Sequence, residues 1–516
     1  MCGIPTHGMD FTMSSHSRRR RQFGASDFAM EAFAFIYIFA QYTSISVYKL
    51  LLTISECVYR GDSSWPDVVA NSTTWSTTSS TNGSAQLLDE CVDAVMNATG
   101  GTEHPRVRDL VFSLPLVELA CSLLVCLMVG GWSDAHGRKL HFVLAMTGAL
   151  IKDLSALVFV LARMPGRNAI YGVTIVSGLL GSLNLFTAGA LCHVSDNSDH
   201  RSRTFRIGTL TFALYLGSAA SVFVERLWKP LLASDSFVRI AVSVVGAQLV
   251  LDMVCLVGVA MVVRESLRVI PGYHGNPLWN FVSMRQVKDV AMFAARRRPS
   301  KARGFILVLC AVFLLERFVY CGEQEVWAEY LFRRFSWTHQ ASLMLGLQFV
   351  CEAMITMLAV WLAHSLGFRD SSLAIAGAVS FMGASAIKAI ALTGGMHGIA
   401  VIVGSLSPLI AIAVLALLTK LIQPEEFGSL FANVAVLSIV APLAASVAYW
   451  EVFAATKAMV SEFIYLLSIF VSTMLCLLLV YVRRNLHLGS LGNLIIQEEK
   501  VPLLSPRQRD FGAAIL

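Results

Sequence analysis

Charge is what this chain has least of. Asp, Glu, Lys and Arg make up 14% of its 516 residues, against about 25% in soluble proteins. With 56% hydrophobic residues there is too little polar surface to wrap a globule, so a soluble enzyme is excluded and a polytopic membrane protein is expected. Paired metal ligands are missing too. None of the eleven cysteines falls in a C-x-x-C or Cys/His spacing. Cys121, Cys126, Cys192, Cys255, Cys310, Cys351 and Cys476 lie inside apolar runs, where they act as small buried hydrophobes. No metal or other cofactor is expected. A catalytic cluster is likewise missing: a membrane-embedded enzyme would need His with Asp at fixed spacing, whereas His193 and His200 are isolated and His364 reads as part of a loop. The net charge of +6 implies no nucleic acid, because the basic residues gather in short loops, where orientation explains them. A cleaved leader is not read either. The basic run 18–21 is followed by an apolar stretch too long for a signal-peptide core.

What is present is a succession of apolar runs, each near the ~20 residues that carry an α-helix across a bilayer. They read as spans over 28–54, 109–129, 140–161, 170–193, 205–227, 237–263, 304–326, 340–364, 371–392, 398–421, 427–450 and 463–482. The expected fold is an all-α membrane protein of twelve transmembrane helices in two six-helix halves. Residues 1–27 are a cytosolic tail and 28–263 the first half. Residues 264–303, containing Arg296-Arg297-Arg298, are a cytosolic linker, 304–483 the second half, and 484–516 a cytosolic tail. The longest polar connection, 55–108, falls on the opposite side. It holds three N-x-S/T sequons, at Asn71, Asn82 and Asn97, which are expected to carry glycans. Cys57 and Cys91 share this loop and an oxidising face; they can bridge each other or pair elsewhere.

The chain is organised around 130–139, a polar decapeptide between the second and third spans, read as a tight loop. Gly137 permits a turn closed to other residues, Asp134 can sit against a helix N-terminus, and Arg138 and Lys139 mark the cytosolic side. The spacing Gly130-x-x-x-Asp134-x-x-Gly137-Arg138-Lys139 resembles the loop between the second and third helices of the major facilitator superfamily. Residues 364–370 occupy the matching place in the second half and look like a decayed copy. After the fourth span, Asp196 is followed by Arg201-Ser202-Arg203-Thr204-Phe205-Arg206, which is similar to solute carrier family 46, the family of the proton-coupled folate transporter. The segment from Lys420 to Glu426-Phe427-Gly428-Ser429-Leu430-Phe431 is similar to the same family.

These resemblances imply a secondary transporter working by alternating access, with a small organic anion or conjugate bound midway between the halves: a folate-like compound, a peptidoglycan fragment or a cyclic dinucleotide. They also imply protons as a coupling ion and a plasma-membrane or lysosomal location. Gly130, Asp134, Gly137, Arg138, Lys139, Asp196, Arg201, Arg203 and Arg206 would form the cytosolic gate. The chain departs from the folate-type pattern where Thr211 aligns with an acidic residue, Tyr320 with a His and Leu415 with an Arg. A receptor on a transporter scaffold would show such losses as well.

Ionisable side chains at membrane depth are functional candidates by default. Glu118, Glu316, Arg317 and Glu352 are the leading candidates for substrate or proton, with Tyr320, Lys388 and Asn184 behind them. Glu316, Tyr320 and Glu323 share a helix face by their spacing. The bland alternative is pairing, with Lys152 tied near Asp153 and Glu316 held by an Arg of another helix. Asp252 is expected to snorkel or pair near the cytosolic end, and the glycines around Asn184 to serve close helix packing. In the C-terminal tail, Glu499 precedes Leu503-Leu504 by four residues, a pattern resembling the signal that a sorting adaptor reads.

Overall fold

The computed structural model describes residues 28–60, 105–162, 167–228, 237–266, 302–337, 339–456 and 462–486, with isolated positions between 287 and 298. Asn71, Asn82, Asn97, Cys91, Glu499, Leu503 and Leu504 lie outside the described residues, as does the Cys57 side chain.

The first half is built from α1 (Ala29–Arg60), α2 (Pro105–His136), α3 (Lys139–Ala162), α4 (Arg167–Leu179), α5 (Ser182–Asp196), α6 (Arg203–Trp228) and α7 (Phe237–Val262). The second half comprises α8 (Ala302–Phe335), α9 (His339–Leu366), α10 (Asp370–Ala389), α11 (Gly394–Gly404), α12 (Leu409–Lys420), α13 (Phe427–Thr456) and α14 (Phe463–Asn485). The pairs α4–α5 and α11–α12 are broken single spans, which gives six spans on each side of the linker. Among the described residues, eleven spans are long and apolar enough to cross a membrane. The remaining helix, α1, turns Glu31, Gln41, Thr43 and Ser44 inward. Large side chains such as Met261, Leu227 and Phe470 stay exposed, as expected of helix faces solvated by lipid rather than water.

Three sequence expectations change. First, 130–139 is mostly helix: α2 runs on through His136, and the turn is confined to Gly137 and Arg138. Across that turn Arg138 reaches back to Asp134 in the last turn of α2, at 2.7 Å. His364 is likewise helical, near the end of α9. Second, the fourth span breaks at Gly181, whose φ of 91° is followed by Ser182 at 48°. The Ser182 hydroxyl donates to Glu118 Oε1 at 2.6 Å, anchoring the break. Third, the tenth span breaks over 405–408. Pro408 supplies no N–H, and neighbouring hydroxyls serve the freed carbonyls: Thr356 donates to Ser405 O at 2.8 Å and Ser380 to Val403 O. Freed backbone groups at membrane depth are tolerated only with such partners.

The halves meet along two seams, α2 with α13 and α6 with α9. At the first, a Cβ on Gly130 would lie 2.1 Å from Ala432 Cβ, so glycine sets the closeness of the helices.

Candidate functional site

The first three residues of α13 are Phe427, Gly428 and Ser429. N–H groups in a helix's first turn have no intrahelical acceptor, and the macrodipole leaves that end partly positive. Asp134 fills the vacancy from the other half. Its Oδ1 accepts from Gly428 N at 2.6 Å, and its Oδ2 from Ser429 N and Oγ, both at 2.8 Å. A Cβ on Gly428 would lie 2.4 Å from Arg138 Nη1 and Ser133 Oγ, so only glycine leaves room for this cap.

Behind Asp134 stands Arg138, fully buried. Its guanidinium donates to Asp134 Oδ1 at 2.7 Å, Ser133 Oγ at 2.9 Å and Asp196 Oδ2 at 3.2 Å. Gly137 turns the chain with a φ of 115°. The N–H groups of Arg138 and Lys139 then donate to Glu265, at 2.7 and 3.2 Å, so the segment that follows α7 caps α3. Lys139 Nζ reaches Ala260 O at 3.2 Å.

The matching corner of the second half keeps the turn and loses the cap. Gly367 has a φ of 71°, but His364 stands where Asp134 stands in the first half, and its ring lies 5.4 Å from that of Phe205. Cross-half contacts there fall to α6. Thr204 Oγ1 donates to Asp370 Oδ1 at 2.7 Å, while Lys420 pairs with the same carboxylate. Arg203 donates to Thr419 O and Ser198 O, both at 3.1 Å, and lies over the Phe427 ring. Arg296 and Arg298 of the linker grip Glu426, just before α13, at 2.9 and 2.8 Å.

Deeper in the bundle, aromatic side chains from both halves converge. Phe349 of α9 packs against Tyr42 of α1 and Tyr215 of α6, with ring centroids 6.2 and 6.1 Å apart. Tyr320 of α8 neighbours Tyr215, and its hydroxyl donates to Glu352 Oε2 at 3.0 Å. Gln348 supplies the other Glu352 oxygen at 2.8 Å. Arg317 lies 5.1 Å from the Tyr320 centroid and 5.9 Å from that of Phe313. It forms a bidentate pair with Glu316, the guanidinium side chain 22% exposed and the carboxylate 2%.

No protein-family model matches the chain. Among curated proteins it is 26% identical over 363 residues to the "Lysosomal proton-coupled steroid conjugate and bile acid symporter SLC46A3" of Gallus gallus, covering 69% of this chain and 75% of the relative. It is 23% identical over 473 residues to the "Probable peptidoglycan muropeptide transporter SLC46" of Drosophila melanogaster, covering 87% and 84%. Among solved structures it superposes on the human organic anion transporter MFSD10 with a TM-score of 0.58 at 16% identity, over 88% of this chain and 99% of that one. For the proton:xylose symporter XylE the figures are 0.56 and 14%, over 89% and 99%. The chain is a transporter of the major facilitator fold, similar to solute carrier family 46.

Within this transporter, Gly130, Asp134, Gly137, Arg138, Lys139 and Asp196 come together in one corner, and Arg203 joins the halves beside it. Two of the expected gate residues do not. Arg201 is exposed on the turn before α6. Arg206 points into the first half, where it pairs with Glu31 at 2.9 Å and covers the Phe28 ring. Glu118 is held within the first half by Lys152 at 2.9 Å and by Ser177 and Ser182, so Lys152 pairs across helices rather than beside Asp153. Glu316 takes its neighbour Arg317 instead of a distant Arg, because a long guanidinium side chain can curl back along its own helix. The face of Glu316, Tyr320 and Glu323 thus divides among three partners. Lys388 is committed to Glu323 at 2.7 Å, with Ser385 on the same carboxylate, and its own exposure is small. Asn184 is half-buried in α5. Asp252 does not snorkel; it is fully buried beside Asp153. Sequence reasoning missed Glu265, Thr204, Tyr42 and Tyr215. Nothing local marks them, since each acquires its role from a helix distant in sequence.

Proposed function

We propose that this transporter moves an amphipathic organic anion of the steroid-conjugate or bile-acid class by alternating access, with protons as the coupling ion. One observation carries the reading: Tyr42, Tyr215 and Phe349 converge from both halves, and Tyr320 and Phe313 line a partly exposed guanidinium, Arg317. Flat aromatic walls suit a rigid apolar ring system, and a guanidinium suits a sulfate or carboxylate. One curated relative, a proton-coupled symporter of steroid conjugates and bile acids, favours this class; another is a probable muropeptide transporter, and so a muropeptide belongs in the test. The chain acts as a carrier, not an enzyme.

The Asp134–α13 contact is the gate on the cytosolic side, with both termini cytosolic. Asn71, Asn82 and Asn97 carry glycans on the opposite side, and Cys57 and Cys91 face the same oxidising compartment. Glu499 with Leu503 and Leu504 recruits a sorting adaptor that delivers the protein to lysosomal or endosomal membranes. The test is uptake of labelled cholate, a steroid sulfate, a muropeptide and folate into proteoliposomes, with and without a pH gradient. Saturable, gradient-driven uptake of cholate or the steroid sulfate supports the reading. Uptake of the muropeptide alone would replace the substrate class, and none at all would refute the assignment.

A further inference from the structure

Asp153 on α3 and Asp252 on α7 are buried, 1% and 0% exposed, as neighbours on helices that pack together. Both lie within apolar spans. Three of their four carboxyl oxygens, Asp153 Oδ2 and both of Asp252, have no hydrogen-bond partner among the described residues. Neighbouring carboxylates offer each other only acceptors, and like charges in a dry interior repel. The pair therefore holds a proton.

The surroundings show which oxygen carries it. Asp153 Oδ1 accepts the Ser44 hydroxyl of α1, and Lys152 is the adjoining residue, so Asp153 has the environment of an anion. Neither oxygen of Asp252 receives a donor among the described residues, so Asp252 has the environment of the acid that donates. Other titratable groups facing the pair are few. Lys152 is committed to Glu118 at 2.9 Å. From α1 come Tyr37, whose hydroxyl reaches Ala145 O, and Tyr48, whose hydroxyl donates to Lys152 O. From α7 comes Cys255, whose thiol points to Phe33 O. A second sign of an unfinished polar site lies one turn earlier on the Asp252 face of α7. There Gln248 is 2% exposed, with neither amide atom partnered.

We propose that Asp153 and Asp252 form a proton-binding site in the first half, apart from the aromatic zone around Arg317, and that its occupancy couples the proton to transport. This rests on the reading of the chain as a proton-coupled carrier. The proton binds as the O–H of Asp252, hydrogen-bonded to Asp153. Release breaks that bond and passes the proton to water on the other side of the membrane. The two carboxylates left behind repel, and Lys152 is the cation within reach to offset them, at the expense of its pair with Glu118. Loading and unloading therefore change how α1, α2, α3 and α7 hold together, which is how a proton can bias the two states of a carrier.

The test has one arm that needs no substrate. Infrared spectra of the purified full-length transporter at neutral pH, in H2O and D2O, report protonated carboxyl groups by their exchange-sensitive carbonyl band. Wild type minus Asp252→Asn should show such a band, and wild type minus Asp153→Asn should show it too, because either amide can donate in place of the shared proton. In proteoliposomes, cholate exchange without a gradient should persist in both variants, while accumulation driven by a pH gradient should fall to the level without one. A difference band absent from both folded variants overturns the site. So does gradient-driven accumulation at the wild-type level. A band that appears only when sodium is replaced by choline would make the site a cation site and overturn the proton assignment. If cholate is not transported at all, the infrared arm still decides the proton site, and the failure belongs to the substrate reading alone.

Discussion

Asp134 and Ser429 lie 295 residues apart in sequence, yet one carboxylate oxygen of Asp134 accepts both the backbone N–H and the hydroxyl of Ser429. With Gly428 N on the other oxygen, an acid in the last turn of α2 in one half serves as the N-terminal cap of a helix in the other. Such a bond exists only while the halves are closed at this corner, so its free energy counts directly toward the closed state.

Asp134→Ala removes all three bonds. Hydrogen bonds to a charged group contribute about 1.5–3 kcal/mol, enough to shift a two-state equilibrium roughly tenfold to a hundredfold. The folded yield should barely change, while the maximal transport rate at matched surface amount should fall at least several-fold. A rate equal to wild type would remove Asp134 from the gate.

Gly428→Ala tests the same corner without touching charge. Its methyl would meet Arg138, Ser133 and Asp134 at about the 2.4–2.5 Å measured for a Cβ there, and the α13 backbone must retreat. Transport should drop several-fold, whereas Ser429→Ala, which spares both backbone donors, should lose far less. Equal effects of the two substitutions would contradict the cap geometry.

Arg317→Leu leaves Glu316, 2% exposed, without its cation. Breaking a buried pair from one side costs about 3–5 kcal/mol, so the protein amount should fall sharply. The double variant Glu316→Gln with Arg317→Met should restore the amount and not the uptake of the anion. Recovery of both would show that the pair is structural.

Folate should be a poor substrate. Leu415, aligned with a cation of the folate-type pattern, is buried in the main apolar core. Thr211 gives its hydroxyl to Ile207 O within its own helix, and Tyr320 gives its own to Glu352. An anion lacking a partner at those positions loses several kcal/mol on leaving water. Folate uptake by cells displaying the protein at the surface should show no saturable stimulation on acidification.

Leu503→Ala together with Leu504→Ala should move the protein from lysosomal membranes to the cell surface, measured by surface biotinylation. An unchanged distribution would sink the sorting motif.

The sequence made the spans legible because mean hydropathy needs no partner to be read. It made the Asp134 corner legible as a motif, but not the donors that Asp134 accepts from, because nothing near residue 134 names Gly428 and Ser429. The breaks at Gly181 and at 405–408 escaped for a related reason. Both runs are continuously apolar, and what stabilises the broken backbone comes from Glu118, Thr356 and Ser380 on other helices. Asp252, expected to snorkel or pair near the cytosolic end, is buried beside Asp153 of α3, a neighbour that nothing near residue 252 announces. Arg201, Arg203 and Arg206 share one motif and have three different fates: Arg201 stays exposed on the turn before α6, Arg203 at the first position of α6 reaches Thr419 of the other half, and Arg206 pairs with Glu31 of α1.

The partners of Arg138 all precede residue 267: Ser133 and Asp134 on its own side of the turn, Asp196 at the end of α5, and Glu265 on its backbone. As a growing chain, the protein completes this cluster before any helix of its second half exists. What remains open on Asp134 is hydrogen-bonding capacity aimed outward, and α13, the last helix but one to emerge, is what fills it. The first half thus offers a finished socket, and the two halves join at this corner when a late helix plugs into it.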